Sequence, residues 1–179
     1  MRVISAAFAA VCVVSGSISA QPPGFHTGPL IEDYGPVAVV EKRDTLPPNA
    51  SFKVSFDVAE PAKIGELHKS LVTGARFLNM HAEAGVAPEN MALAFVVHGQ
   101  AVHDVATDEH YQSDTGKNNP NRDLIAQLVA NGVDIYVCGQ SATYHNVDAE
   151  ELLPGVHMSL SAMTAHALLQ QDGYTLNPF

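Results

Sequence analysis

Cys138 closes the run Val133 to Cys138, which reads as a strand, and is followed by Gly139, Gln140 and Ser141. Two uses of such a thiol are open. Glycine permits close backbone approach, and the polar residues behind it can start a helical turn whose N–H groups favour a thiolate. A free cysteine at a strand end also serves simply as a small buried hydrophobe. His98 ends an apolar run, Met91 to Val97, and leads into Gly99 and Gln100. At the equivalent end of a neighbouring strand it is a candidate proton carrier or imidazolium partner for the thiolate, or else hydrogen-bonded scaffolding. Ser161, after the run Val156 to Leu160, is a further candidate for ligand contact together with Gly99, Gly139, Gln140 and Ser141. Asn119 joins them, although Asn119 and Asn121 around Pro120 also suit a helix cap. A cysteine and a histidine without a third orienting group carry no hydrolase signature.

Nine histidines raise the question of a metal. His98, His103 and His110 are irregularly spaced, with Asp104, Asp108 and Glu109 among them, and no H-E-x-x-H or paired-cysteine spacing is present. This reads as a scattered, solvated acidic loop, and no metal is assigned. The stretch from Gly116 to Asn121 is not a phosphate-binding loop, and the chain has no G-x-G-x-x-G, so no cofactor is assigned either.

The elements that would position these residues follow from periodicity. Phe52, Val54, Phe56 and Val58 alternate with Lys53, Ser55 and Asp57, as in a strand exposed on one face. Pro61 suits a first helical turn, and Ile64, Leu67, Leu71, Ala75 and Leu78 form the apolar stripe of a helix ending near Gly85. Met91 to Val97 suits a central parallel strand covered on both faces. His103 to Lys117 reads as a long polar connection. A helix then runs from Asn119-Pro120 to Asn131-Gly132, followed by the strand Val133 to Cys138. Asp148 with Glu151 resembles a capping box, Val156 to Leu160 is a strand, Ala162 to Gln171 a helix, and Tyr174 to Phe179 a last strand or tail. Strands alternating with helices predict an α/β domain with a mainly parallel sheet. In such sheets ligands bind at the carboxyl edge, where the loops after Val97, Cys138 and Ser159 gather.

At 179 residues, 46% of them hydrophobic, the chain suits one domain with a sizeable core. Residues 1–20 have the order of a secretory signal peptide: Arg2, an apolar stretch from Val3 to Val14, then a small-residue run to Ala20. A membrane span needs about twenty apolar residues, more than this stretch supplies. Cleavage there predicts a periplasmic or secreted protein whose one remaining cysteine, Cys138, has no internal partner. Residues 21–49 are rich in Pro and Gly and form an arm. Its Phe25, Leu30, Ile31 and Tyr34 predict that it lies across the domain, which begins at residue 50, or across a neighbouring subunit. The net charge of −10, without any basic run, argues against a nucleic-acid or anionic-membrane partner.

The stretch Gly132-Val133-Asp134-Ile135-Tyr136-Val137-Cys138-Gly139-Gln140, with Leu152-Leu153-Pro154-Gly155-Val156 and Leu160-Ser161-Ala162-Met163-Thr164-Ala165 after it, resembles the exported branch of the DsrE/DsrF-like family. Ala75 to His81, Val96-Val97-His98-Gly99 and Asn119-Pro120-Asn121 extend the resemblance over most of residues 35–179. It implies a three-layer α/β/α domain with a mainly parallel sheet of about five strands. It also implies a homo-oligomer, trimer or hexamer, and a cysteine after a central strand. In cytoplasmic relay members that cysteine carries persulfide sulfur, and Cys138 matches its place. A sulfur carrier or transferase would follow, with His98 and Gln140 shaping the pocket and a sulfur donor or acceptor protein as partner. The alternatives are a non-catalytic module of the same fold binding a small ligand or metal, and an oligomeric assembly protein contacting its neighbours through the arm.

Overall fold

The structure, a computed structural model, describes residues 22–178; the signal peptide expected over residues 1–20 lies outside them. Two short strands, β1 (Phe25–His26) and β2 (Val37–Ala38), pair antiparallel in the arm. The domain follows as β3 (Phe52–Val58), α1 (Lys69–Glu83), β4 (Met91–Val97), α2 (Asp108–Thr115), α3 (Arg122–Ala130), β5 (Asp134–Cys138), α4 (Gly139–Tyr144), β6 (Val156–Ser159), α5 (Ala162–Gln171) and β7 (Thr175–Asn177). The main sheet has the order β6-β5-β4-β3-β7, and every pairing in it is parallel. No helix among the described residues is long and apolar enough to cross a membrane.

The chain steps in one direction from β3 to β6 and returns past β3 to β7. Right-handed crossovers therefore put α1, α3 and α4 on one face and α5 on the other. The two cores confirm this. Phe56, Leu93, Phe95, Ile135 and Val137 pack with Leu71, Leu78, Leu124 and Leu128 on the first face. Ala94 and Val96 meet Ala165 and Leu169 on the second. The expected three-layer α/β/α arrangement is present. Phe56 and Phe95 stack with ring centroids 4.9 Å apart at the centre of the first core.

Local differences from the periodicity have local causes. Helix α1 starts at Lys69, not near Pro61, because the His68 side chain caps it through Ser70 N–H; Ile64 lies outside the helix and is exposed. Ser55 is buried rather than solvent-facing, since it pairs in register with Ala94 on the face that α5 covers. The polar stretch His103 to Lys117 is not a plain connection: a 3₁₀ segment over Gly99–Val105 runs into it, and it contains the helix α2, capped by Thr107. Its polar sequence has no apolar stripe to betray a helix.

The arm lies across its own domain. Ile31 is fully buried, and Asn79 of α1 clamps the segment around it. The Asn79 carbonyl accepts from the N–H groups of Leu30 and Ile31 at 3.1 and 2.8 Å, and its amide donates to the carbonyls of Ile31, Tyr34 and Gly35. Tyr34 adds a bond of 3.0 Å to Asp123 on α3.

Candidate functional site

Cys138 ends β5 and is itself the residue before the first turn of α4. It pairs in register with Ser159, the last residue of β6, two residues before the cap of α5. Parallel pairing thus brings two helix starts to one sulfur. Burial pushes the thiol's pKa up. Hydrogen bonds from the Ser141 hydroxyl and from the N–H groups of Ser141, Ala162 and Gln140 oppose this, and the net direction is down from the ordinary cysteine value. The residue is 6% exposed, so the donors act on a sulfur largely withdrawn from water.

Each neighbour has a structural reason for its position. Gly139 is required by crowding: a Cβ there would stand 2.7 Å from the Ser159 carbonyl oxygen and 3.4 Å from that of Leu160. Gly99, with φ of 57°, takes a left-handed turn after β4 and sends its N–H to Ser141 Oγ at 3.0 Å. That bond leaves the Ser141 proton for the sulfur. Gln140 Nε2 reaches the Leu160 carbonyl at 3.4 Å, and Ser161 caps α5 by accepting from Thr164 N–H at 3.0 Å. Of the predicted site residues, Gly99, Gly139, Gln140, Ser141 and Ser161 therefore gather around Cys138.

His98 and Asn119 are differently engaged. His98 Nε2 lies 3.0 Å from Asp57 Oδ1, and His166 Nε2 of α5 lies 2.7 Å from the same oxygen. The groups acting on the Cys138 sulfur are serine and backbone donors, and the geometry assigns His98 to this carboxylate-bridged pair. Asn119 is 4% exposed; its amide donates to the carbonyls of Asp104 and Ala106 and its carbonyl accepts from Asn121 N–H. Those bonds make it scaffold for the loop before α3.

Sequence reasoning missed Ala162, whose N–H matters only because β5 and β6 pair, and it missed Asp57 and His166. The histidine-rich stretch divides. Asp104 accepts from Ala62 N–H, and Asp108 accepts from Asn119 N–H and pairs with Arg122. His103 and His110 come together with Asp114, which the sequence pattern did not single out.

The sequence matches the DsrE/DsrF-like family over residues 65–178. The chain belongs to that family. The matched span holds β4, β5, Cys138 and both helix starts around it. No curated protein matches the chain. Among solved structures, a protein of unknown function, MTH1491 from Methanobacterium thermoautotrophicum, is similar with a TM-score of 0.53 and 16% identity, over 71% of this chain and 98% of its own. The ychN protein from E. coli is 15% identical over 70% of this chain and 100% of its own, with a TM-score of 0.49. The MTH1491 likeness bears on fold alone, and agrees with the DsrE-like layering described above.

Proposed function

We propose that this DsrE-like protein is a sulfur carrier that acts through Cys138. The observation that carries the reading is the convergence of the Ser141 hydroxyl and three backbone N–H groups on one sulfur at the carboxyl edge of a parallel sheet. Such a cradle favours the thiolate, the form that attacks sulfane sulfur. The Cys138 thiolate attacks the outer sulfur of a persulfide donor R–S–SH. A bond forms between Sγ and that sulfur, the donor's S–S bond breaks, and its electron pair leaves as R–S⁻. The product, Cys138–S–SH, passes the outer sulfur to an acceptor thiolate by the same exchange. No external oxidant or reductant enters.

Leu160 and Met163, which flank Ser161 and Ala162, are 72% and 80% exposed. Apolar side chains beside the cradle suit a protein surface docking there, whether a donor, an acceptor or a further copy of this chain in a trimer or hexamer. The signal-peptide order of residues 1–20 extends the reading to a protein working outside the cytoplasm.

Incubation with a polysulfide donor, followed by intact-mass spectrometry, tests the function. The expected result is added sulfur on the wild-type chain and none on Cys138→Ser. Wild-type protein that takes up no sulfur, with a thiol that alkylates only after unfolding, would make Cys138 a core residue and overturn the reading.

A further inference from the structure

On the same edge of the molecule, and independently of the thiol, three side chains converge in a different way. His103 Nδ1 lies 3.2 Å from His110 Nε2 and 3.2 Å from Asp114 Oδ2, and His110 Nε2 lies 3.7 Å from the same Asp114 oxygen. Three donor atoms at these separations outline one face of a coordination tetrahedron. Bonds of about 2.0–2.1 Å to nitrogen and oxygen give edges of about 3.3–3.4 Å. We propose that His103, His110 and Asp114 form a binding site for a divalent transition-metal ion of the zinc type, with its fourth position open.

The local fold prepares this triangle. His110 and Asp114 are one turn apart on α2, which Thr107 caps by accepting from His110 N–H, and His103 comes from the 3₁₀ segment just before. Behind His110, its Nδ1 lies 3.3 Å from Glu151 Oε1. The other Glu151 oxygen accepts from Asp148 N–H at 2.9 Å in a capping box, so the carboxylate is itself held in place. With Nδ1 donating to Glu151, His110 presents the Nε2 lone pair toward His103 and Asp114. A carboxylate behind a ligating imidazole is the usual way in which ring orientation and tautomer are fixed for a metal.

The donor chemistry selects the ion class. Two imidazoles and one carboxylate suit zinc and its first-row neighbours rather than magnesium or calcium, which take oxygen donors. Two of the three ligands, His103 and Asp114, border a cavity of about 420 Å³ that Tyr111, Gln100 and His145 also line, which leaves room for a fourth ligand beside them. Three protein ligands with an accessible fourth position are the arrangement of reactive metal centres, whereas structural zinc sites are closed by four. The His145 ring stands edge-on to His103 with centroids 5.3 Å apart, on the wall of that cavity. Water or a small anionic ligand would complete the coordination there.

Untagged, chelator-treated protein titrated with Zn²⁺ by calorimetry, and with Co²⁺ by visible absorption, tests the proposal. Wild type should bind one Zn²⁺ per chain saturably, gain thermal stability on binding, and give the intense visible bands of tetrahedral cobalt. Asp114→Asn, at a half-exposed position, and His103→Gln should each weaken affinity at least 10-fold while keeping the wild-type circular dichroism. Glu151→Gln, at a carboxylate that meets His110 at Nδ1, away from the three proposed ligand atoms, should weaken it about 10- to 100-fold. Cys138→Ser should bind as wild type does, which separates this site from the thiol. Absence of saturable binding in wild type, or wild-type affinity in either Asp114→Asn or His103→Gln, overturns the proposal. So does loss of binding in Cys138→Ser.

Discussion

The Ser141 hydroxyl donates to the Cys138 sulfur while its own oxygen is held by Gly99 N–H at 3.0 Å. The loop after β4 therefore fixes a donor that the turn after β5 aims at the thiol. Removing the hydroxyl in Ser141→Ala withdraws one bond from the thiolate and leaves the three backbone N–H groups in place. A hydrogen bond to a charged group contributes about 1.5–3 kcal/mol, so the midpoint of the alkylation rate against pH should rise by about one to two units. An unchanged midpoint would mean that the backbone donors alone set the thiol.

Gly139 tests the geometry of the same cradle from the other side. In Gly139→Ala the new methyl group meets the Ser159 carbonyl, 2.7 Å away, and either β6 or the first turn of α4 must shift. Overpacking of this kind costs about 1–3 kcal/mol. The denaturation midpoint should fall accordingly, and Cys138 reactivity should drop with it because Ala162 N–H moves away from the sulfur. Wild-type stability and alkylation rate in this variant would show that the close approach is not needed.

The cradle was half legible in the sequence. Cys138, Gly139, Gln140 and Ser141 stand together at the end of a strand-like run, and Gly99 follows another, so strand periodicity alone places them at one edge. Ala162 was invisible, because its role depends on the pairing of Cys138 with Ser159. Asp114 was hidden for another reason: α2 carries almost no apolar surface, and without knowing it is a helix one cannot see that His110 and Asp114 share a face. Asn79 was hidden because a buried polar residue on an apolar face looks like an interruption, not a clamp. In the fold it serves five backbone groups of the arm.

That clamp yields a stability prediction. Asn79→Ala strands the N–H groups of Leu30 and Ile31 and three carbonyls in a largely dry interface. Buried groups left without partners cost about 1–3 kcal/mol each, less whatever water recovers, so a loss of about 2–4 kcal/mol is expected. Limited proteolysis should then cut within residues 28–49 well before the domain unfolds. Equal protection of that segment in wild type and Asn79→Ala would show that Ile31 and its apolar neighbours hold the arm unaided.

Tyr34 makes the same attachment sensitive to alkaline pH. Burial, the hydrogen bond to Asp123 and the negative charges of Asp123 and Asp33 push its phenol from 10.0 up to about 12. Ionisation is disfavoured in the folded chain, whereas the released arm ionises Tyr34 near the ordinary value. The folded state thus binds the phenolic proton more tightly between those two values. Its contribution to stability is fully present below pH 10 and is lost as pH rises from about 10 to 12. The bond lies near the surface, so the effect belongs to arm attachment more than to the core. Protease susceptibility of residues 28–49, followed against pH, should rise through that interval in wild type. Tyr34→Phe should lack this pH-dependent rise while starting from a looser arm. A rise of the same size in both proteins would assign the alkaline transition to other groups and remove Tyr34 from the account.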